Sequence, residues 1–390
     1  QPIKTGRKIV LATAIAETSL TIQGIRIVVD AGQSRRARYD AGSGMSRLVT
    51  ERVSRAEATQ RTGRAGRVAA GTSYRLWTKG EEGSLPAFAP AEIEAADLAN
   101  LALELANWGS TGDDLALLTP PPAGAMEQAR HLLRDLNALD AAGAITQHGR
   151  KLARLPLHPR LAHMLIRAGR AAAPLAALLN ERNILMRGAP VDVSLRLNAL
   201  HNPKAFRANH SSGINQSAFA QVHSEAKRLA KLSDFDSTLS PAQMLALAYP
   251  DRVAKRRTGD EPRYVMSGGK GAYLPASDPM GNVAMLVASD LDGNPRDAKI
   301  RGALAITQSE LVEIYDDAIK WHDICEWSRR EGRVMTRQQL QFGAIVLDDR
   351  KWSAAPAEDI AHAMLEGVRQ IGLLPTPAAN RYLARVKLGH

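Results

Sequence analysis

Two short β-branched apolar runs, residues 7–12 (RKIVLA) and 25–30 (IRIVVD), do most to narrow the folds open to this chain. The stretch between them, around residues 14–20, is compatible with a helix, and strand, crossover and strand fit part of a parallel α/β sheet. Residues 72–77 (TSYRLW) read as the closing strand of the same layer, which ends at Pro86 and Pro90. Residues 35–53 break this pattern. Two arms of alternating polar and apolar residues flank Ala41-Gly42-Ser43-Gly44, which predicts a projecting β-hairpin. The chain opens at Gln1 rather than Met, with residues 8–12 already reading as a buried strand, so it is expected to begin inside a domain.

Beyond this layer the periodicity turns helical. Ile93, Leu98, Leu101, Leu105 and Trp108 mark one helix over residues 91–108, and residues 125–142 mark another beyond the stiff Pro120-Pro121-Pro122 turn. Residues 143–149 read as a two-stranded wing, so helices followed by a wing predict a winged-helix domain. Residues 156–247 are rich in Ala and Leu and predict a helical bundle, with the polar stretch 201–216 as a loop. Residues 264–292 and 299–306 return to β character with many glycines, expected as a small barrel or sandwich, an OB-like barrel among the options, followed by mixed structure. A chain of 390 residues accommodates two to four domains. The expected fold is therefore multidomain: an α/β lobe over 1–90, a winged helix over 91–155, a helical bundle over 156–247 and a β-rich region over 248–390.

Charge enters where it is localised. The formal balance is +11, and residues 1–80 hold fifteen Lys or Arg against five acids. Residues 81–120 hold eight acids and no Lys or Arg. So sharp a change of sign suggests a positive surface for a polyanion beside an acidic connector, although charge alone is equally compatible with an ordinary basic surface. The single Cys325 excludes an internal disulfide framework, and no apolar run marks a signal or membrane span. A soluble protein of a reducing, cytoplasmic compartment, with no membrane partner, is expected.

The sharpest chemistry lies in Gln60-Arg61-Thr62-Gly63-Arg64-Ala65-Gly66-Arg67. Arginines three apart on a helix repel one another, so an anion is expected to offset the cost. Gly63 and Gly66 remove side chains between them and permit close approach of a phosphate, which guanidinium groups match with bidentate geometry. Ser267-Gly268-Gly269-Lys270-Gly271 is not a phosphate loop, since Gly271 stands where Ser or Thr is needed. His158 and His163 are five apart, a poor metal spacing, and read as structural or polar contacts, with Leu155 and Leu161 in the core.

The 60–67 segment resembles motif VI (QRxGRxGR) of superfamily-two helicases. Thr13-Ala14-Ile15-Ala16-Glu17-Thr18-Ser19-Leu20-Thr21 is similar to the TNIAETSLT segment of DEAH-box RNA helicases, with Ala14 where that family usually has Asn. Residues 35–53 resemble the family's duplex-junction hairpin, 155–165 its winged-helix to ratchet junction, and 267–274 with 321–347 the carboxy-terminal region of the bacterial HrpB type. The resemblance covers nearly the whole chain. It implies a second RecA-like lobe, a ratchet-like bundle, and ATP with Mg²⁺ and RNA as partners. Gln60 would orient the attacking water, Arg64 and Arg67 would be arginine fingers, Gly63 and Asp30 would lie at the nucleotide, and Thr13, Thr18, Ser19 and Arg47 would hold RNA. The residues alone do not separate RNA from DNA, nor do they name a protein partner.

A helicase also needs a GxxxxGK[ST] loop and a DExH box, and neither occurs in this sequence. The chain is therefore expected to supply the arginine side of an ATPase site whose nucleotide cradle and Mg²⁺ ligands lie on another lobe, and to be inactive alone. The competing expectation is a nucleic-acid-binding module without turnover.

Overall fold

Residues 6–18, 22–40, 45–186, 188–294, 297–372 and 376–388 are described by a computed structural model. The chain forms two compact units, residues 1–167 with 290–301, and residues 168–289 with 302–390. In the first, α1 (Ile15–Thr18) precedes β1 (Ile27–Asp30). The hairpin strands β2 (Gln33–Asp40) and β3 (Met45–Arg52) pair antiparallel from Gln33 opposite Arg52 to Asp40 opposite Met45. The expected turn at 41–44 lies outside the described residues. β4 (Thr72–Arg75) runs parallel to β1, with Ile27 opposite Thr72 and Asp30 opposite Arg75.

Residues 7–12 are not the strand expected of them. They take no regular structure, and Ile9 and Leu11 are almost fully exposed. β-branched composition suits a run to a sheet, but a strand persists only with a partner along its hydrogen-bonding edge, and among the described residues β1 pairs with β4 alone.

α2 (Arg55–Gly63) starts where Ser54 accepts a hydrogen bond from the Glu57 amide and Glu57 accepts from the Ser54 amide, a reciprocal cap that satisfies two orphan donors. Glu57 also pairs with Arg36 of β2, which reaches Glu51 of β3 at 2.5 Å. One arginine thus fastens the hairpin to the helix. Val53, Ala58 and Leu85 form the core beneath, with Trp77 against them. α3 (Lys79–Ser84) opens with the same kind of cap from Thr78 and Glu81.

The helix expected over 91–108 is two, α4 (Glu92–Ala95) and α5 (Ala99–Trp108). Asp97 separates them: it accepts from the Ala99 amide at 2.9 Å and lies 3.3 Å from His158 Nε2. α6 (Ala123–Asp135) stops well before Ala142, because Asn137 adopts a positive φ of 55°. The wing is reduced to one antiparallel bridge between Leu139 and Ile145, with Gly143 at φ 86° in the turn. Thr146 then caps α7 (Gln147–Ala153), so residues 147–149 are helical. α7 lies so close to the preceding loop that a Cβ on Gly149 would sit 2.2 Å from the Ala138 carbonyl oxygen. α8 (Pro159–Ala168) follows, and His148 Nε2 lies 2.8 Å from His163 Nδ1.

The second unit is helical at first: α9 (Ala173–Asn180), α10 (Ser194–His201), α11 (Pro203–Asn209), α12 (Gln216–Ala230) and α13 (Pro241–Ala248). α11 occupies the expected loop; Asn202 caps it and Pro203 fills its first position, signals that outweigh the polar composition. β5 (Val253–Arg256), β6 (Arg263–Met266), β7 (Gly271–Tyr273), β8 (Met285–Leu291) and β9 (Asp297–Ala305) close a barrel in the order β5-β6-β7-β9-β8. The glycine-rich 268–271 segment is the β6–β7 turn, with Gly269 at φ 84°.

α14 (Gln308–Tyr315) leads to an antiparallel sheet of β10 (Lys320–Ser328), β11 (Arg333–Phe342) and β12 (Ile345–Lys351). α15 (Ala357–Ile371) packs on β10 and β11, with Gly367 directly over the Trp327 ring. α16 (Pro377–Leu388) closes the described chain. No helix among the described residues is long and apolar enough to cross a membrane.

Candidate nucleotide and nucleic-acid site

The capped start of α2 sets the phase of the helix, and its far end carries the glycine-spaced arginines. They do not form the single helical row expected. Arg61 lies in the last turn, Arg64 is the C-cap, and Arg67 lies beyond the helix in a bend. The like-charge repulsion foreseen for a continuous helix is relieved because the helix ends between them.

Arg61 points inward. Its Nε lies 2.6 Å and its Nη2 2.5 Å from Glu17 Oε1, while Nη1 donates to Asp30 Oδ1 at 2.8 Å and to the Gln33 carbonyl at 3.1 Å. Asp30 is almost wholly buried and its Oδ1 also accepts from the Gly32 amide at 2.9 Å. Burial opposes the Arg61 charge, but the hydrogen bonds and charges of Asp30 and Glu17 outweigh it and hold the guanidinium above its ordinary value. One guanidinium therefore ties α1, the end of β1 and the start of β2 to α2. Arg64 adds a second tie through its Nη2, which donates to the Glu17 carbonyl.

Gln60 and Arg67 are exposed, and among the described residues neither side chain has a hydrogen bond or ion pair. Gly63 is also exposed, and a Cβ there or on Gly66 would meet nothing within 4 Å. These two glycines open space for an external group without an internal packing role. The glycine that the fold itself demands is Gly71, where a Cβ would fall 2.1 Å from the Ala65 carbonyl oxygen. Gly32 is another: its φ is 71°, and Trp77 lies 2.8 Å from where a Cβ would stand.

Thr13 is exposed just before α1, and its carbonyl accepts from the Ala16 amide. Ser19 lies outside the described residues, as do the side chains of Thr18 and Arg47. The geometry thus joins Glu17 of the 13–18 segment to Asp30 through Arg61 and to Arg64 directly, and leaves Gln60 and Arg67 projecting. The sequence alone assigned Arg61 and Glu17 no role beyond the motifs that contain them. A signal existed, because Glu17 is the sole acid among residues 1–29 and stands in a strongly basic stretch. Among the described residues no three acidic, His or Cys side chains converge to hold a metal ion.

Residues 129–157 match the winged-helix helicase-associated domain family (HA2), and residues 318–352 match the connector region of ATP-dependent RNA helicase HrpB. The chain is 38% identical over 383 residues to ATP-dependent RNA helicase HrpB of Escherichia coli (strain K12), covering 94% of this chain and 44% of that protein. It is 31% identical over 291 residues to DExH-box ATP-dependent RNA helicase DExH2 of Arabidopsis thaliana, covering 72% and 18% respectively. The crystal structure of the E. coli DExH-box NTPase HrpB is similar with a TM-score of 0.77 and 36% identity, over 95% of this chain and 45% of that one. The chain spans less than half the length of these relatives.

Proposed function

The chain belongs to the HrpB-type DEAH-box ATP-dependent RNA helicases, corresponding to their carboxy-terminal part, and from that premise we propose that it supplies the transition-state side of an ATPase coupled to movement along RNA and unwinding. The observation that carries this reading is the split among the arginines: Arg61 is consumed internally, whereas Arg67 and Gln60 project without a partner among the described residues.

Phosphoryl transfer is catalysed chiefly by position and by cations on developing negative charge. Arg67 offers such a cation to a γ-phosphate presented from another lobe. Arg64 offers a second, steadied by the Glu17 carbonyl. Gln60 orients the attacking water, and Gly63 keeps the approach clear. Asp30 is assigned to the ribose side of the nucleotide on the strength of its place at the end of β1; its Oδ1 is held by Arg61 and Gly32, and its buried Oδ2 has no partner among the described residues. Thr13, Thr18, Ser19 and Arg47 are assigned to holding the RNA backbone on the strength of the sequence motif. Mg²⁺, when bound with ATP, would neutralise phosphate charge; its ligands are proposed to come from sequence outside this chain. We assign 1–90 to the second RecA-like lobe with the hairpin 35–53, 91–155 to the winged helix, 156–247 to the ratchet-like bundle and 248–390 to the remaining region with an OB-like barrel.

The test is Arg67→Ala in the full-length parent enzyme. Turnover should fall by about a thousandfold, the usual scale for an arginine finger, with RNA affinity nearly unchanged. Undiminished ATPase activity would refute the role. RNA binding without ATPase in the unmutated parent would favour a binding module instead.

A further inference from the structure

Between Ala141 and Asn180 the sequence contains six Lys or Arg and no acid. The segment lies outside the glycine-spaced arginines and the 13–18 strand contacts, and the proposed mechanism makes no use of it. Part of its charge is internal: Arg160 is buried close to Asp97. Four of the cations remain outward. Arg150 and Lys151 on α7, Arg154 at its C-cap and Arg167 on α8 are exposed, and among the described residues none has an ion pair or a side-chain hydrogen bond.

Their arrangement is a surface rather than a scatter. At 100° per residue, positions 150, 154 and 151 fall within one arc of about 100° on α7. The opposite face is the packed one, through buried Gly149 and Leu152. His148 borders the arc, and Arg167 approaches it from α8: burial first, and then the positive charges of Arg167 and Lys151, push the His148 imidazole below its ordinary value. The His148–His163 contact at 2.8 Å therefore lies between the two sources of cations and bridges them without adding charge.

A solvated basic face is the ordinary explanation for a charge run, and a helix C-terminus does welcome cations. That accounts for Arg150 and Lys151 in the last turn. The C-cap Arg154 is welcome there too as a single charge, but the dipole does not account for crowding three cations at i+3 and i+4, which are unfavourable like-charge pairs, nor for Arg167 converging from a second helix. An external polyanion with regularly spaced charges would relieve all four.

We infer that the outward face of α7 with Arg167 of α8 is a second binding surface for the RNA phosphate backbone, reading charge and spacing and not base sequence. The inference rests on the proposed nucleic-acid role and extends it to the winged-helix region. Exposed arginines offer forked donors to successive phosphates, and Lys151 adds a point charge between them.

The test uses the 390-residue chain, a fluorescent single-stranded oligouridylate and the triple variant Arg150→Gln/Lys151→Gln/Arg154→Gln. Each phosphate contact with a single strand contributes about 0.7 to the slope of log K against log salt. The slope should become shallower by about 2. In the unmutated chain, RNA should also shield Lys151 from acetylation, a readout that needs no variant to fold. RNA binding with an unchanged slope, or Lys151 equally reactive with and without RNA, overturns this surface while leaving the rest of the nucleic-acid role standing. No RNA binding at all overturns both. Poly-glutamate binding as tightly as RNA, with the same loss in the triple variant, would reassign the surface to an acidic protein and also overturn the inference.

Discussion

Replacing Arg61 by Met keeps the length of the side chain and removes its charge. Asp30, with its side chain 2% exposed, and Glu17, 12% exposed, would then keep their carboxylates without a cation. Removing one partner of a buried ion pair costs about 3–5 kcal/mol, because the remaining charge is stranded in a poor solvent. Water reaches Glu17 and part of Arg61, so the lower end applies, about 3 kcal/mol. The loss should be local to the elements that Arg61 joins. Native-state hydrogen exchange followed by mass spectrometry reads it directly: amides of β1 and α2 should exchange about a hundredfold faster, since each 1.4 kcal/mol is tenfold. Arg61→Lys should recover part of the loss, because one ammonium cannot span both carboxylates. Arg61→Met/Asp30→Asn should be more stable than the sum of the two single changes predicts, as the double variant removes the stranded charge. An exchange increase below about fivefold in Arg61→Met would show that the guanidinium does not hold these charges in place.

Burial, followed by the charges of His148 and Arg167, holds His163 down to about 3, and His148 is lowered too. Both stay neutral in the folded chain while an unfolded histidine protonates near pH 6.5, so the unfolded state binds more protons as pH falls. The His163 contribution to stability should be present above about pH 6.5 and be lost toward about pH 3, by about 1.4 kcal/mol per pH unit, with His148 acting in the same direction; urea midpoints for the chain and His163→Leu should converge as the pH is lowered, and parallel curves would contradict this. Gly71→Ala should destabilise by about 1–3 kcal/mol, the overpacking range, because its Cβ would overlap the Ala65 carbonyl; a thermal melt unchanged by the substitution would contradict the close approach. Ser54→Ala should cost about 1 kcal/mol through loss of the α2 cap, read by denaturant unfolding, while Ser54→Thr, which retains the hydroxyl, should lose little.

What the linear sequence determined was local. The strand run at 25–30, the hairpin arms and the glycine-spaced arginines are all patterns within a few residues, where periodicity and side-chain chemistry act without help. The family relation was legible for the same reason, since motif residues are contiguous. The run at 7–12 shows the limit, because a strand exists only if something pairs with it. The break at Asp97, fixed by an amide two residues on and by His158 sixty-one residues away, shows the other limit. Tertiary structure alone decided which arginine faces inward. Arg61, Arg64 and Arg67 look equivalent in the chain, yet it is Arg61 that pairs with the carboxylates of Asp30 and Glu17, and a charge taken out of water is held where its counter-charges are.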